Sequence, residues 1–470
     1  MRRVVVVGGG ISGLAAAWEL TGGGTAPGGG PGPGVVVLES SPRLGGALQS
    51  EPFGGRIVDT GPDGFLGRRP EALQLCHEIG LGDALVPIAG RGAAVWARGK
   101  LRPLPEGLAL GIPTRFWPAA RSGILGRRGQ LALARDVLLP RPDVRGPIGD
   151  RSIGPLVARK LGRRVAERLA DPLIGGIHAG SIDDMSAAAT FPPLLAAAQK
   201  RGSLMRALRA EIPPPPEDPP PLFRALAGGM ASMVEHLRAA LCARGVEIRC
   251  GTPVERLERQ ADGWRVLTDH ASHDADAVVL AVPAPVAGRL LRPHDDEAAG
   301  LLAGIAYASV SLVTFRVPVE ALASPLEGTG FLVPRQSPVR RDGERWAVTA
   351  CTYLSQKWPH LASDGDVLLR ASVGRFGDAR ADAWTDAEMA VRVWSELGLL
   401  MGLSGELPDS MVARWPQGFA QYRVHHLMRT AGIEAAVARL GGIAVAGSSY
   451  RGVGIPACIA SGRAAAQAVT

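Results

Sequence analysis

Lysine is almost missing from this chain of 470 residues: Lys100, Lys160, Lys200 and Lys357 are the only four, beside 48 arginines. Coding-DNA base composition accounts for that bias as readily as physics does. Aromatic residues are scarce, at 22, which argues against a base-stacking surface, so no nucleic-acid partner is expected. The five cysteines, Cys76, Cys242, Cys250, Cys351 and Cys458, lie far apart with no CxxC spacing. That usage excludes a thiolate metal site or a disulfide scaffold and suits a reducing, cytoplasmic location. There is no uninterrupted run of about 18 apolar residues, so no transmembrane helix is expected. Met1-Arg2-Arg3, an apolar run and Ala15-Ala16-Ala17 imitate a signal peptide, but Gly8, Gly9, Gly10 and Gly13 break the run. No Ser/His/Asp set suggests itself. What is present is a chain 46% hydrophobic and 20% charged, enough for a sizeable core. Its length suggests about three domain-sized units.

Val4 to Val7 form a β-branched run too apolar for a half-exposed strand, and so predict a buried parallel strand. Gly8-Gly9-Gly10-Ile11-Ser12-Gly13 follows at once, and Leu14 to Leu20 are good helix formers. G-x-G-x-x-G between a strand and a helix is the context of a dinucleotide cradle. Gly8 makes the turn, Gly10 admits a pyrophosphate and Gly13 lets helix and strand pack closely. A second strand, Val35 to Leu38, ends in Glu39, which lies 26 residues after Gly13. An acid there accepts both ribose hydroxyls and disfavours a 2′-phosphate, so FAD or NAD is preferred over NADP. The Gly/Pro-rich tract Thr21–Gly34 accounts for the long offset as a surface loop. Ser40-Ser41-Pro42-Arg43-Leu44-Gly45-Gly46 then places Arg-x-Gly-Gly directly after the acid.

This segment resembles the amine-oxidase-type FAD fold, in which Arg43 and the Gly45–Gly46 backbone lie along the pyrophosphate and ribityl chain. The expected fold class is α/β: a discontinuous Rossmann-like FAD-binding domain, a mixed-sheet substrate domain and a helical insertion. The expected boundaries are 1–88, 222–296 and 438–470 for the first, 89–105 and 297–437 for the second, and 106–221 for the third. Cofactor contacts are expected from Gly8, Gly9, Gly10, Ile11, Ser12 and Gly13, from Glu39 and Ser40, and from Arg43, Gly45, Gly46 and Ala47. Further contacts are expected at the turn Gly61, Pro62, Asp63 and Gly64, at Val254 near the adenine, and at Trp415. At the C-terminus, strand Ile443–Gly447 runs through the turn Ser448–Pro456 into a helix expected over 457–469. This puts free N–H groups at Val453, Gly454 and Ile455 against something electron-rich, such as the N1–C2=O edge of a reduced flavin. No Cys-Tyr pair marks covalent attachment, so the FAD is expected to be non-covalent.

Residues 98–168 hold sixteen Lys and Arg against five acids, so the basicity of the chain is local. Ile153, Leu156, Val157, Leu161, Val165 and Leu169 recur there at helical spacing, with Arg159, Arg163 and Arg164 off the stripe. Two readings stay open: a solvated helix face, or docking to an acidic membrane surface and steering of an anionic substrate. Pro213–Pro216 and Pro219–Pro221 predict a stiff linker.

Stretches over nearly the whole chain resemble the protoporphyrinogen/coproporphyrinogen oxidase family. They are Gly61–Leu66, Gly176-Ile177-His178-Ala179-Gly180, Ser186–Pro192, Gly202-Ser203-Leu204, Gly330–Pro334 and Tyr450–Cys458. Gly111–Thr114, Thr349–Thr352 and Lys357–His360 are similar to the bacterial flavin-dependent coproporphyrinogen III oxidase branch. Ala93, where mitochondrial protoporphyrinogen enzymes place a propionate-binding arginine, and Arg68-Arg69 favour the same branch. Ala420, His425 and His178 depart from the family, which commonly has Pro, Gly and Tyr there. The resemblance implies six-electron oxidation of a porphyrinogen in heme biosynthesis, by hydride transfer from methylene bridges to flavin N5. Dioxygen reoxidises the flavin to give hydrogen peroxide. Positioning and flavin electrostatics then carry catalysis without an obligatory side-chain base. His178 is the one pocket acid/base candidate, and Arg68 and Arg69 are candidates for holding substrate propionates. Other heme-pathway enzymes are candidate hand-over partners. The alternatives are protoporphyrinogen IX oxidation, a flavin amine oxidase or carotenoid desaturase, and a porphyrin carrier.

Overall fold

The computed structural model describes residues 2–23, 33–139, 149–213, 219–337, 340 and 343–470. Most of the Gly/Pro loop expected over 21–34, and the middle of the proline linker, lie outside the described residues. The chain divides into two compact units. One comprises Met1–Pro87, Pro220–Ala306 and Leu427–Thr470, the other Ile88–Pro219 and Tyr307–His426.

In the first unit, four consecutive valines give the strand Arg3–Val7 no polar face, so it must be covered on both sides. It takes the middle of a five-stranded parallel sheet in the order Glu247–Arg249, Gly34–Leu38, Arg3–Val7, Ala277–Leu280, Ile443–Val445. Helices Ile11–Leu20 and Ile455–Val469 share its core, where Leu14, Ala15, Ala16, Ile459 and Ala466 are buried together. They approach so closely that a Cβ on Gly462 would overlap the Ser12 carbonyl oxygen. The C-terminal helix starts at Ile455, two residues before the expected start. Pro456 sits in its first turn, where a missing N–H costs nothing. The unit also holds a three-stranded antiparallel sheet, Val254–Gln260, Gly263–Thr268 and Ser272–Ala275, and helices Ala231–Ala243 and His426–Leu440, the latter from Leu427 on.

The second unit is built on a seven-stranded mixed sheet. Its order is Ser410–Ala420, Tyr307–Pro318, Asp366–Val373, Val348–Tyr353, Gly330–Leu332, Ala94–Ala97, Lys100–Pro103. Helix Asp386–Met401 packs on it, held at its start by a Thr385–Glu388 capping box and ended by Gly402 at φ 74°. The helical insertion packs around an apolar core that also takes in Val95 and Ala97 of the sheet, and in which Ile153, Val157, Leu161, Val165 and Leu169 are fully buried. The stripe expected from the sequence is therefore real, but its helix is not continuous. Gly162, at φ 92°, closes helix Ile153–Leu161, and the chain continues into a π-helix over Ala166–Gly175 with Pro172 inside it. Proline removes a backbone donor, and the wider turn accommodates the carbonyl left without its partner. The α/β architecture is the one expected, with a Rossmann-like unit assembled from three stretches of chain, a mixed sheet and a helical insertion.

Candidate functional site

The turn after the first strand is shaped by what side chains would do to it. Gly8 lies at φ 105°, and a Cβ there would overlap the Ala281 carbonyl oxygen. A Cβ on Gly13 would overlap the carbonyl oxygen of Gly8, so only glycine lets this helix start so close to its strand. At Gly10 the situation is reversed: a Cβ would meet nothing within 4 Å. Helix Ile11–Leu20 begins there, and among the described residues no side chain caps it. Bare N–H groups facing an open hollow are the geometry an anion such as a pyrophosphate requires.

Glu39 closes one side of the hollow. Its Oε2 accepts from the Gly9 N–H at 2.6 Å, and its Oε1 accepts from Ser41 N–H at 2.8 Å and Ser40 Oγ at 3.3 Å. The Gly9 and Ser41 bonds orient the carboxylate at the strand's end. The Arg-x-Gly-Gly segment lies alongside: Gly45 N–H donates to Gly9 O at 2.8 Å, and Gly46 sits at φ 58° with its Cβ position 3.4 Å from the Gly10 Cα. Arg43 and Ala47 are exposed, and Arg43 makes a 3.5 Å ion pair with Glu51. A cavity of about 550 Å³ borders Arg43 and Leu44 on one side and Val234 and Arg238 on the other. The strand carrying Val254 is drawn to the same place, because Thr252 N–H donates to Glu39 O and Gly251 N–H to Ser41 O, both at 2.8 Å.

Gly61, Pro62, Asp63 and Gly64 link strand Arg56–Asp59 to the short strand Phe65–Leu66, and Gly61 and Asp63 are buried. Sequence reasoning missed Asp59, four residues before Asp63. Its buried Oδ1 accepts from Met230 N–H at 2.7 Å and Ser50 Oγ at 2.6 Å, fixing the start of helix Ala231–Ala243. A lone aspartate at a strand end carries no sequence signal for that tie. Val453, Gly454 and Ile455 form the entry to the C-terminal helix, with Gly454 as its cap residue and no side-chain cap among the described residues. The first unit therefore brings together Gly8–Gly13, Glu39–Ala47 and the Val254 strand start, and it also holds the 61–64 turn and the 453–455 helix entry. Trp415 and His178 belong to the second unit, Trp415 on strand Ser410–Ala420.

Arg69 precedes helix Pro70–Glu78 and is committed to Glu71, with Nε to Oε2 at 3.1 Å. This is the arrangement of a helix start, and Arg68 beside it is exposed. His178 is mostly buried near Tyr422, ring centroids 6.0 Å apart, and its Nδ1 has no partner among the described residues. Burial pushes its imidazole down to about 4, so at neutral pH it is a neutral acceptor rather than an acid.

A sheet-borne glycine turn, a carboxylate at the end of the second strand and helix starts without side-chain caps are the features of a dinucleotide-binding fold. The chain belongs to the flavin-containing amine oxidoreductase family, whose profile matches residues 11–470. It is 33% identical to the coproporphyrinogen III oxidase of Bacillus subtilis (strain 168), covering 99% of this chain and 97% of that protein. It is 36% identical to that of Propionibacterium freudenreichii (99% and 90%). Bovine protoporphyrinogen oxidase is 30% identical (100% and 98%). Among solved structures, an Exiguobacterium sp. 255-15 protein assigned as a protoporphyrinogen oxidase superposes with a TM-score of 0.87 at 33% identity, covering 100% of this chain and 98% of that one.

Proposed function

We propose that this protein oxidises coproporphyrinogen III to coproporphyrin III in heme biosynthesis, using non-covalently bound FAD. Three dioxygen molecules take up the six electrons and six protons and leave as hydrogen peroxide. The observation that carries the reading is the near full-length similarity to curated coproporphyrinogen III oxidases of several bacteria, at 30–36% identity. It is joined to a glycine turn whose only open Cβ direction is at Gly10.

FAD, when bound, supplies the hydride acceptor. The chain's own residues hold it. The Gly8–Gly13 turn flanks the pyrophosphate. Gly8 and Gly9 shape it, their N–H groups being bonded to Leu38 O and Glu39 Oε2, and the N–H groups from Gly10 to Gly13 face the phosphates. Glu39 and Ser40 take the ribose, and Arg43, Gly45, Gly46 and Ala47 flank the phosphates. The 61–64 turn and Val254 complete the contacts, and the N–H groups at Val453, Gly454 and Ile455 favour negative charge at the flavin edge. The neutral His178 imidazole is suited to accept a proton or a hydrogen bond, and the exposed Arg68 and Arg69 are the candidates for a propionate, Arg69 also pairing with Glu71.

Beyond the two compact units, the run of helices between 116 and 211 supports treating 106–221 as a third part, beside 1–88 with 222–296 and 438–470, and 89–105 with 297–437, although its apolar core also takes in Val95 and Ala97 of the neighbouring sheet. A cytoplasmic location with peripheral membrane contact fits as well. Among the described residues no helix is long and apolar enough to cross a membrane. Arg128, Leu131, Arg135 and Leu138 form one exposed stripe on helix Gly126–Leu138, next to exposed Trp117 and Leu139.

Protoporphyrinogen IX is the second reading, favoured by the bovine relative. Aerobic turnover of both reduced substrates side by side, followed by porphyrin fluorescence, separates the two. Faster turnover of coproporphyrinogen III is expected, and a preference for protoporphyrinogen IX reverses the assignment.

A further inference from the structure

Arg335, Arg345, Arg375 and Arg380 line one cavity of about 300 Å³ within the second unit, together with Ser337 and Asp378. Arg345 is exposed to solvent, while the part-buried Arg335, Arg375 and Arg380 crowd like charges that favour a counter-charge. Asp378 is already taken, since it pairs with Arg380 through Nε–Oδ1 at 2.8 Å and Nη2–Oδ2 at 2.7 Å. Arg335 gives its Nη groups to neutral carbonyls, those of Phe376 at 3.2 and 3.3 Å and Gly180 at 3.1 Å. Asp171 of the π-helix also faces Arg335 and Arg375, but burial raises its carboxyl above the ordinary range, which weakens it as a counter-charge.

The donors left over point to what is missing. Among the described residues, the Arg375 side chain makes no hydrogen bond, and Arg335 Nε and Ser337 Oγ are buried without a partner. Burial first, then repulsion from Arg335, pushes the Arg375 guanidinium down to about 10. An anion in the cavity would relieve both. A guanidinium pair with an adjacent hydroxyl matches the two oxygens of a carboxylate, which arginine receives in a planar fork. The volume stands at the small end of ligand pockets and suits a short acid or one acidic side arm, not a macrocycle.

We propose that this cavity is a carboxylate-binding site, with Arg375 and Arg335 receiving the two oxygens and Ser337 donating a further hydrogen bond. The carboxylate has two available sources: a free small dicarboxylate, or a propionate arm of a tetrapyrrole. The second source rests on the function proposed above, and the first does not.

The test is calorimetric titration of the FAD-loaded protein and its Arg375→Gln and Ser337→Ala variants, with succinate and with coproporphyrin III as probes. Thermal melts verify that the variants fold. Arg375→Gln is expected to weaken binding of at least one probe about tenfold or more, and Ser337→Ala to weaken it less, as loss of a charged and a neutral donor predicts. Porphyrin binding that weakens and is competed by succinate assigns the arm. Succinate binding that weakens while porphyrin binding stays unchanged assigns the free acid. Titrations identical in parent and Arg375→Gln, or no binding of either probe by the parent, overturn the site. If coproporphyrinogen is not turned over but succinate binding still depends on Arg375, the proposed function falls and the site stands. Normal turnover with indifferent titrations removes the site alone.

Discussion

Glu39 shows how much a single side chain can carry. It is anchored from below by the Gly9 N–H at 2.6 Å, which orients its carboxylate before any ligand arrives. Glu39→Ala removes both the anchor and the acceptor for ribose. Bonds to a charged acceptor are worth about 1.5–3 kcal/mol, so flavin affinity should fall at least about tenfold. The flavin absorbance retained per protein after gel filtration measures this, and full occupancy would take Glu39 out of the cradle. His178 makes a different claim, about pH. In the unfolded chain its imidazole gains a proton as pH falls through about 6.5, while in the folded chain burial delays this until about 4. Between those values the unfolded state binds more protons, so stability is present above that window and is lost as pH falls through it, by roughly 3 kcal/mol at most. His178→Tyr should flatten the loss. Denaturant melts at pH 7 and pH 5 check it, and an equal loss in both proteins would mean the imidazole protonates freely in the fold.

Elements meet where small residues let them. The helix pair Ile11–Leu20 and Ile455–Val469 depends on Gly462, whose missing side chain leaves room for the Ser12 carbonyl. Gly462→Leu must push the helices apart within a packed core, and overpacking typically costs about 1–3 kcal/mol. Because helix Ile11–Leu20 also begins at the candidate cofactor hollow, melting temperature and flavin retention should fall together. A variant that melts earlier yet holds flavin normally would separate packing from binding. Arg463, one residue on, ties the same helix to Glu78 at 2.5 Å, and Glu78 also accepts from Trp18 Nε1 at 2.8 Å. Directly between the two helices, Arg463 pairs with Glu19 at 3.8 Å and Gln467 Nε2 donates to Glu19 Oε1 at 3.0 Å, so their registration rests on the gap at Gly462 together with these polar ties.

At the scale of the whole molecule, the basic stretch and the exposed apolar residues coincide. Trp117 is 63% exposed, Leu131 71% and Leu138 75%, with Arg135 between the leucines and Arg128 one turn before Leu131. Charge attraction to anionic lipid is screened over roughly 8–10 Å at physiological salt, whereas apolar insertion is not. Vesicles containing acidic lipid should therefore bind the protein at low salt and release most of it at high salt. Trp117→Ser should weaken what remains. Cosedimentation measures both effects. Binding indifferent to anionic lipid, or no binding at all, would leave these residues as a solvated face.

The parallel-sheet core and glycine turn of the first unit were legible in the sequence because they are built from local patterns. The valine run, the glycine spacing and the acid after the second strand each have a short-range cause, and the strand–turn–helix order follows from them. The stripe from Ile153 to Leu169 was equally legible as a buried face. The break in its helix was less so, since apolar spacing runs straight through Gly162, which adopts φ 92°. Tertiary structure alone decided the rest. The commitment of Arg69 to Glu71 could not be read beforehand, because an arginine beside a helix start looks the same whether it meets a substrate or a glutamate. The tie from Asp59 to Met230 spans 171 residues, and the arginine cavity joins residues 335 to 380 by strand pairing rather than by spacing. Long-range contacts of this kind leave no periodic trace in the chain, since their partners are chosen by the sheet order and not by neighbours in sequence.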